Sequence, residues 1–133
     1  LDAVVSAVLA PCARPTGVWW ACGAGSLDSD REECAVVAPH TVGTPVTCSK
    51  GTIGNAFECS GLIDVALAIE SLAQQKVPPI GLLQDPDPAL GHGIDFVIGA
   101  SRPISNVDTA FITALGYGPN TTVGAALLAR SVA

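Results

Sequence analysis

The sequence Lys50-Gly51-Thr52-Ile53-Gly54-Asn55 leads from a short apolar strand into the longest helix expected in the chain, over about residues 55–75. A surface helix usually carries one apolar stripe. Here the apolar side chains cover every face, so the helix is predicted to be buried on all sides. A single sheet covers only one side of a helix, and a second layer must come from another half-domain or another chain. The apolar residues of this helix are Leu62, Ile63, Val65, Ala66, Leu67, Ala68, Ile69, Leu72 and Ala73.

The remaining pattern alternates helices and strands. Helices are predicted over residues 1–10 and 28–37, and Pro11 and Pro39 stop them. Short apolar runs bounded by turn residues predict five strands, at 18–21, 46–48, 95–98, 110–115 and 122–129. The fold class is therefore α/β, with a mixed five-stranded sheet and one long buried helix. No linker interrupts the pattern, so residues 1–133 are predicted to form a single domain.

Composition excludes several classes of function. Six basic residues against twelve acidic ones give a net charge of −6, and the basic residues are scattered, which argues against nucleic-acid binding. The same balance argues against direct docking of a strongly acidic partner protein. No apolar run reaches the roughly 18 to 20 residues of a membrane span. No signal peptide is seen and the chain has no Met, so we expect a cytoplasmic protein that is a fragment, a processed product or a split subunit.

Five cysteines are spaced 10 to 14 residues apart, without the Cys-x-x-Cys pairs of a structural zinc site. The odd count favours reduced thiols that are buried as small apolar groups. His92 lies between glycines near acidic residues, but the spacing of the two histidines is not that of a metal site. We therefore expect neither a metal nor a cofactor. The cysteines are Cys12, Cys22, Cys34, Cys48 and Cys59.

The stretch from Lys50 to Asn55 resembles a motif of the β-ketoacyl synthase family of condensing enzymes, Lys-x-x-x-Gly-His, with asparagine in place of histidine. A second family motif, His-Gly-Thr-Gly-Thr followed by an Asp and a Glu, resembles Cys22-Gly23-Ala24-Gly25-Ser26 with Asp30 and Glu33. Here cysteine replaces the histidine. The resemblance implies the C-terminal half of a thiolase-like fold, whose nucleophilic cysteine belongs to the N-terminal half.

Within this family the chain is most similar to the chain-length factor, the non-catalytic partner of type II polyketide ketosynthases. Its features are a Gly-Ala-Gly, matched at 23–25, and a Pro-Val-Thr-x-x-Lys strand, matched at 45–50. Gly116-Tyr117-Gly118-Pro119-Asn120 resembles a Gly-rich loop that gates the family's active site. The loop departs from the family by a proline for glycine and by an asparagine placed one residue early.

The two missing histidines bear on the chemistry. A decarboxylative condensation needs donors to the thioester oxygen and assistance in the loss of carbon dioxide. Asn55 donates hydrogen bonds but is no acid–base group, and we expect it to cap the long helix. Cys22 has no base near it in the sequence. Lys50 is expected to be a structural charge paired with Glu33 or Glu58, and Asp30 to lie near a helix N-terminus.

Two hypotheses follow from the resemblance. The first is a non-catalytic, chain-length-factor-like subunit that pairs with an active ketosynthase, shapes the acyl tunnel and meets the acyl carrier protein only indirectly. The second is a C-terminal fragment of a β-ketoacyl synthase that completes an active enzyme with a separate N-terminal half. Cys22 and Asn55 favour the first, whereas an upstream segment with an active-site cysteine would favour the second.

Overall fold

The computed structural model describes residues 1–11, 17–116 and 122–131. The helices are α1 (Asp2–Leu9), α2 (Leu27–Val37), α3 (Lys50–Ile53) and α4 (Ser60–Gln74). The strands are β1 (Val18–Trp20), β2 (Pro45–Thr47), β3 (Lys76–Val77), β4 (Asp95–Phe96), β5 (Arg102–Pro103), β6 (Thr109–Leu115) and β7 (Val123–Ala129). None of the helices in this described part of the chain has the length and apolar character of a membrane span.

Five strands form one mixed sheet in the order β4-β2-β1-β6-β7. Strands β4, β2, β1 and β6 run parallel, and β7 pairs antiparallel with β6. The predicted α/β class and the mixed five-stranded sheet are confirmed, and each predicted strand overlaps an observed one. A second, two-stranded antiparallel sheet of β3 and β5 was not predicted, because β3 stops directly before Pro78 and β5 ends in Pro103, and proline is usually a sign of a turn or loop.

The sheet buries apolar side chains on both faces. The side chains of neighbouring residues in a strand point to opposite faces of the sheet. Trp19 and Trp20 therefore lie on opposite faces, and both are fully buried. Trp20 belongs to the cluster beneath α4, with Ala68 and Leu72 of that helix. Trp19 belongs to the other cluster, which includes Val5 of α1 together with Cys34 and Val37 of α2. The described residues therefore form helix, sheet and helix layers.

Helix α4 is buried along one face only. Its buried residues, Ser60, Asp64, Ala68, Ser71 and Leu72, lie toward the sheet. On the other face Leu62 is 73% exposed and Ile69 is 56% exposed. The burial predicted for all faces is thus found for the face that the sheet covers, and the apolar face opposite is not covered by the residues that the structure describes.

The long helix begins later than predicted. The expected start near Asn55 is wrong: Lys50–Ile53 forms the separate short helix α3, and α4 begins at Ser60. Gly54 and Phe57 have φ angles of 81° and 51°, which no right-handed helix accommodates. The other end is close to the prediction, since Gln75 adopts a left-handed conformation and ends α4.

Candidate functional site

The candidate site lies at the carboxyl ends of the parallel strands. Cys22 follows β1, Lys50 follows β2, and Leu115 ends β6. Because these three strands are parallel neighbours, their carboxyl ends meet at one edge of the sheet, where ligands of open α/β sheets usually bind. The fold thus brings together two of the motif positions singled out in the sequence.

Two glycines of the motifs are required by close packing. A side chain at Gly51 would place its Cβ 2.2 Å from the carbonyl oxygen of Gly81. At Gly23, where φ is +53°, a Cβ would lie 2.4 Å from the Sγ atom of Cys48. Real Cβ atoms do not approach other atoms so closely. These glycines therefore let the two motif loops pack against their neighbours.

Glu33 anchors the loop that carries Cys22. Its side chain is 1% exposed, and its carboxylate accepts hydrogen bonds from the backbone N–H groups of Cys22 (2.7 Å) and Gly23 (3.1 Å). The hydroxyl of Thr113 on β6 also donates to it. Burial raises the pKa of Glu33, although these hydrogen bonds oppose the shift. The predicted ion pair between Glu33 and Lys50 is wrong: in the described part of the chain the carboxylate accepts from Cys22, Gly23 and Thr113, and the ammonium group of Lys50 contacts Cys22 instead.

Lys50 is instead directed at Cys22. The Nζ atom of Lys50 donates a hydrogen bond to the carbonyl oxygen of Cys22 and lies 3.2 Å from its Sγ atom. Burial by itself lowers the pKa of Lys50, but the neighbouring Cys22, Cys48 and Asp64 outweigh it, so that the pKa is raised. The lysine therefore stays a cation. Glu58, the other expected partner, makes no ion pair with Lys50 in the part of the chain that the structure describes.

The thiol of Cys22 is buried, 2% exposed, and surrounded by donors. Besides Lys50, the backbone N–H of Leu115 donates to its Sγ atom at 3.3 Å. Burial and the charge of Glu33 raise the pKa of Cys22, and the contacts with Leu115 and Lys50 oppose this. The sequence showed no base near this cysteine, and the lysine that faces it, 28 residues away along the chain, is a cation rather than a base.

Asp64 is a site residue that sequence reasoning missed. It lies in the second turn of α4 and is 1% exposed. The hydroxyl of Ser49 donates to its Oδ1 atom, while its Oδ2 atom is buried with no hydrogen-bond partner. Burial raises the pKa of Asp64, against the Ser49 hydrogen bond and the charge of Lys50. An acidic residue within an otherwise apolar helix was the available signal.

Asn55 lies in the turn between α3 and α4. It is exposed, and its Oδ1 atom accepts hydrogen bonds from the backbone N–H of Phe57 (2.9 Å) and the hydroxyl of Ser60 (3.2 Å). The prediction that Asn55 caps the long helix is wrong, because the residue before α4 is Cys59. Asn55 instead stabilises the turn that separates α3 from α4.

A cavity of about 340 Å³ opens between the sheet edge and α4. Cys22, Lys50 and Asp64 supply polar groups to it, and Phe57, Ala114 and Leu115 are among its apolar walls. Its described lining includes neither of the two histidines of the chain. His92 lies at a separate groove beside β4. The residues described include no cluster of His, Cys, Asp or Glu that could hold a metal ion.

The other predicted positions are partly described. Asp30 lies in the first turn of α2, as predicted, and its carboxylate accepts a hydrogen bond of 3.2 Å from the backbone N–H of Gly25. Burial raises the pKa of Asp30. Gly116 lines the cavity and donates its N–H to the carbonyl oxygen of Thr122 at 2.6 Å. Tyr117, Gly118, Pro119 and Asn120 lie outside the described residues.

Comparison with known proteins yields no match to a family model, but it yields clear relatives. The chain is 32% identical over 100 residues to the protein named "Putative polyketide beta-ketoacyl synthase 2" of Streptomyces halstedii, covering 72% of this chain and 23% of that protein. It is 34% identical over 98 residues to the tetracenomycin polyketide synthase ketoacyl synthase beta subunit of Streptomyces glaucescens, covering 74% and 23%. The chain thus spans about a quarter of the length of these relatives.

Solved structures give the same fold. The ishigamide ketosynthase/chain length factor superposes with a TM-score of 0.76 over 88% of this chain and 28% of that one, at 13% sequence identity. At this identity the superposition establishes the fold alone. The relationship to ketosynthases therefore rests on sequence identity to the relatives, and the superposition adds the shared fold.

Proposed function

Because this chain belongs to the β-ketoacyl synthase family and its motifs match the C-terminal half of the thiolase-like fold, we propose that it is a non-catalytic, chain-length-factor-like part of a condensing enzyme. It pairs with an active ketosynthase and shapes the tunnel for the growing acyl chain in type II polyketide or fatty-acid-type elongation. Residues 1–133 act as one domain, and the complex works in the cytoplasm.

The composition of the cavity is the observation that carries this proposal. Condensation uses donors and acid–base groups around the thioester carbonyl, and the cavity holds a thiol at Cys22 where the family motif has histidine. Asn55, at the other histidine position, is an amide that accepts hydrogen bonds from Phe57 and Ser60 through its Oδ1 atom. Lys50 is held by Cys22. The site retains the family's backbone without its imidazoles.

The uncovered face of α4 supports pairing. Leu62 is 73% exposed, Ile69 is 56% exposed and Leu67 is 37% exposed. Burying an apolar side chain of this size is worth roughly 1.5 to 3 kcal/mol, so leaving these side chains in water is costly for a small domain. A condensing-enzyme partner that packs on this face covers them. With a net charge of −6, the chain leaves the docking of an acidic acyl carrier protein to that partner.

Two assays test the proposal. The chain alone, incubated with acyl- and malonyl-carrier protein, is expected to give no β-ketoacyl product. Adding a type II ketosynthase subunit is expected to give product, with the chain fixing the length of the acyl chain that is made. Product from the chain alone would refute the non-catalytic role. Product that requires only a separate N-terminal half would support the alternative, a C-terminal fragment that completes an active enzyme.

Matched surface variants test the pairing face. The double variant Leu62→Lys and Ile69→Lys places two charges on the exposed face of α4, while Val42→Lys changes another exposed apolar residue, 85% exposed, that lies away from α4 at the groove beside β4. The double variant is expected to lose ketosynthase binding in native mass spectrometry and Val42→Lys to retain it. Equal binding by both would show that this face is not the interface.

A further inference from the structure

Three reactive groups from distant parts of the chain meet in the cavity at the sheet edge. The thiol of Cys22, the ammonium group of Lys50 and the carboxyl group of Asp64 all line it. The proposed pairing role uses the exposed face of α4 and the shape of the tunnel, and it assigns no task to this thiol.

Two hydrogen-bond donors lie beside the sulfur of Cys22 and can stabilise negative charge on it. Lys50 Nζ lies 3.2 Å from the Sγ atom of Cys22, and the backbone N–H of Leu115 lies 3.3 Å from it. Donors and a cation beside a sulfur stabilise the thiolate. Burial and Glu33 act in the opposite direction and outweigh these contacts, so the pKa of Cys22 is raised and the group rests as a thiol. Lys50 and the N–H of Leu115 reduce the cost of giving up the proton.

A second feature points to a bound molecule rather than to a purely structural cysteine. Asp64, which lines the same cavity, is 1% exposed. Its Oδ2 atom is buried and has no hydrogen-bond partner. Buried polar atoms are almost always paired. A ligand that offers a hydroxyl or amide N–H group would satisfy this oxygen. The apolar side chains of Phe57, Ala114 and Leu115 suit an acyl chain beside it.

We propose that Cys22 accepts an acyl group from an acyl thioester bound in this cavity. The Sγ atom of Cys22 forms a bond to the carbonyl carbon, the bond from that carbon to the thioester sulfur breaks, and the thiol proton of Cys22 passes to the departing sulfur. One thioester and one thiol are consumed, and one of each is formed, so no oxidant or reductant is needed. Lys50 donates to the carbonyl oxygen as negative charge builds on it.

The experiment uses the full chain and a soluble probe, the N-acetylcysteamine thioester of hexanoic acid. After incubation from about pH 7 to about pH 9, digestion and mass spectrometry locate the acyl group. The expected result is one hydroxylamine-labile hexanoyl group on Cys22, formed faster as the pH rises. Cys22→Ser is expected to lose it, and Cys59→Ser, which removes the exposed cysteine among the described residues, to retain it. Lys50→Gln is expected to slow the reaction by on the order of 100-fold.

Each alternative outcome is decisive. Acylation confined to Cys59, or a Cys22 that stays free throughout the pH series in the folded chain, would overturn the proposal. An equal rate in Lys50→Gln would also contradict it, provided that Cys34 and Cys48 remain protected from alkylation and so show an intact fold. Pairing with a ketosynthase is measured separately on Cys22→Ser, which is expected to bind as the unmodified chain does, so failure of one proposal leaves the other standing.

Discussion

The carboxylate of Glu33 on α2 accepts a hydrogen bond of 2.7 Å from the backbone N–H of Cys22, in the loop after β1. A buried acid thereby fixes the loop on which the cavity depends. The same carboxylate also accepts a hydrogen bond from the hydroxyl of Thr113 on β6. That hydroxyl in turn accepts a hydrogen bond of 3.0 Å from the indole N–H of Trp19. Helix, loop and strand are joined through one side chain.

Replacing Glu33 by Gln is expected to lower the free energy of unfolding by about 1 to 3 kcal/mol. The amide has one oxygen where the carboxylate has two. Its NH2 group must therefore face the backbone N–H of either Cys22 or Gly23, and that N–H loses its acceptor. Urea unfolding followed by circular dichroism measures the loss. Glu32→Gln, at the exposed neighbouring position, serves as the control and is expected to change little. Equal stability of the two variants would show that this anchor is dispensable.

Asp64→Asn is expected to change the pH dependence of stability. Burial raises the pKa of Asp64 in the folded chain, so the folded state binds this proton more tightly than the unfolded state does. The free energy of unfolding therefore falls as the pH rises from the ordinary carboxyl pKa of about 4 through the raised value. The neutral amide removes this dependence and keeps an oxygen for the hydroxyl of Ser49.

We expect Asp64→Asn to gain stability relative to the unmodified chain between about pH 4 and about pH 7, as measured by urea unfolding at both ends of that interval. Asp85→Asn, at an exposed position, controls for the general loss of a negative charge. A relative stability of Asp64→Asn that falls toward neutral pH would contradict the burial of an unsatisfied carboxyl group.

The cysteines are expected to react with iodoacetamide in the order of their environments. Of the four cysteines that the structure describes, Cys59 is exposed and should be modified first. Burial raises the pKa of Cys34 to about 12 and that of Cys48 to about 11, so both should remain thiols and resist modification until urea is added. Time-resolved peptide mass spectrometry checks this order. Early modification of Cys34 in the folded chain would contradict its place beneath the sheet.

The five-stranded sheet was predictable from the sequence because each of its strands coincides with a local apolar pattern. Residues 110–115 form a short apolar run between turn residues, and β6 lies where that run predicts it. The class of fold followed from the same local signals, from the family motifs and from the apolar character of α4. That helix was also expected to need a second layer, and its exposed Leu62 and Ile69 agree with this expectation.

The partners within the site were not predictable, because they depend on distances across the fold. The lysine motif was visible, but the choice of Cys22 rather than Glu33 as the partner of Lys50 arises when the ends of β1 and β2 come together. The later start of α4 depends on the left-handed conformation of Phe57, which the residue type does not suggest. Asp64 was visible as an acidic residue in a largely apolar helix, but its burial and its hydrogen bond with Ser49 also depend on the fold.

Native mass spectrometry of the protein isolated from its producing cells tests the central claim most directly. We expect a stoichiometric complex in which the second component is a condensing-enzyme chain with an active-site cysteine, and in which α4 is protected from hydrogen exchange. The isolated chain should lose that protection on the exposed face. A well-folded monomer of 13.4 kDa with α4 fully protected would contradict the claim that this protein works as one part of a condensing enzyme.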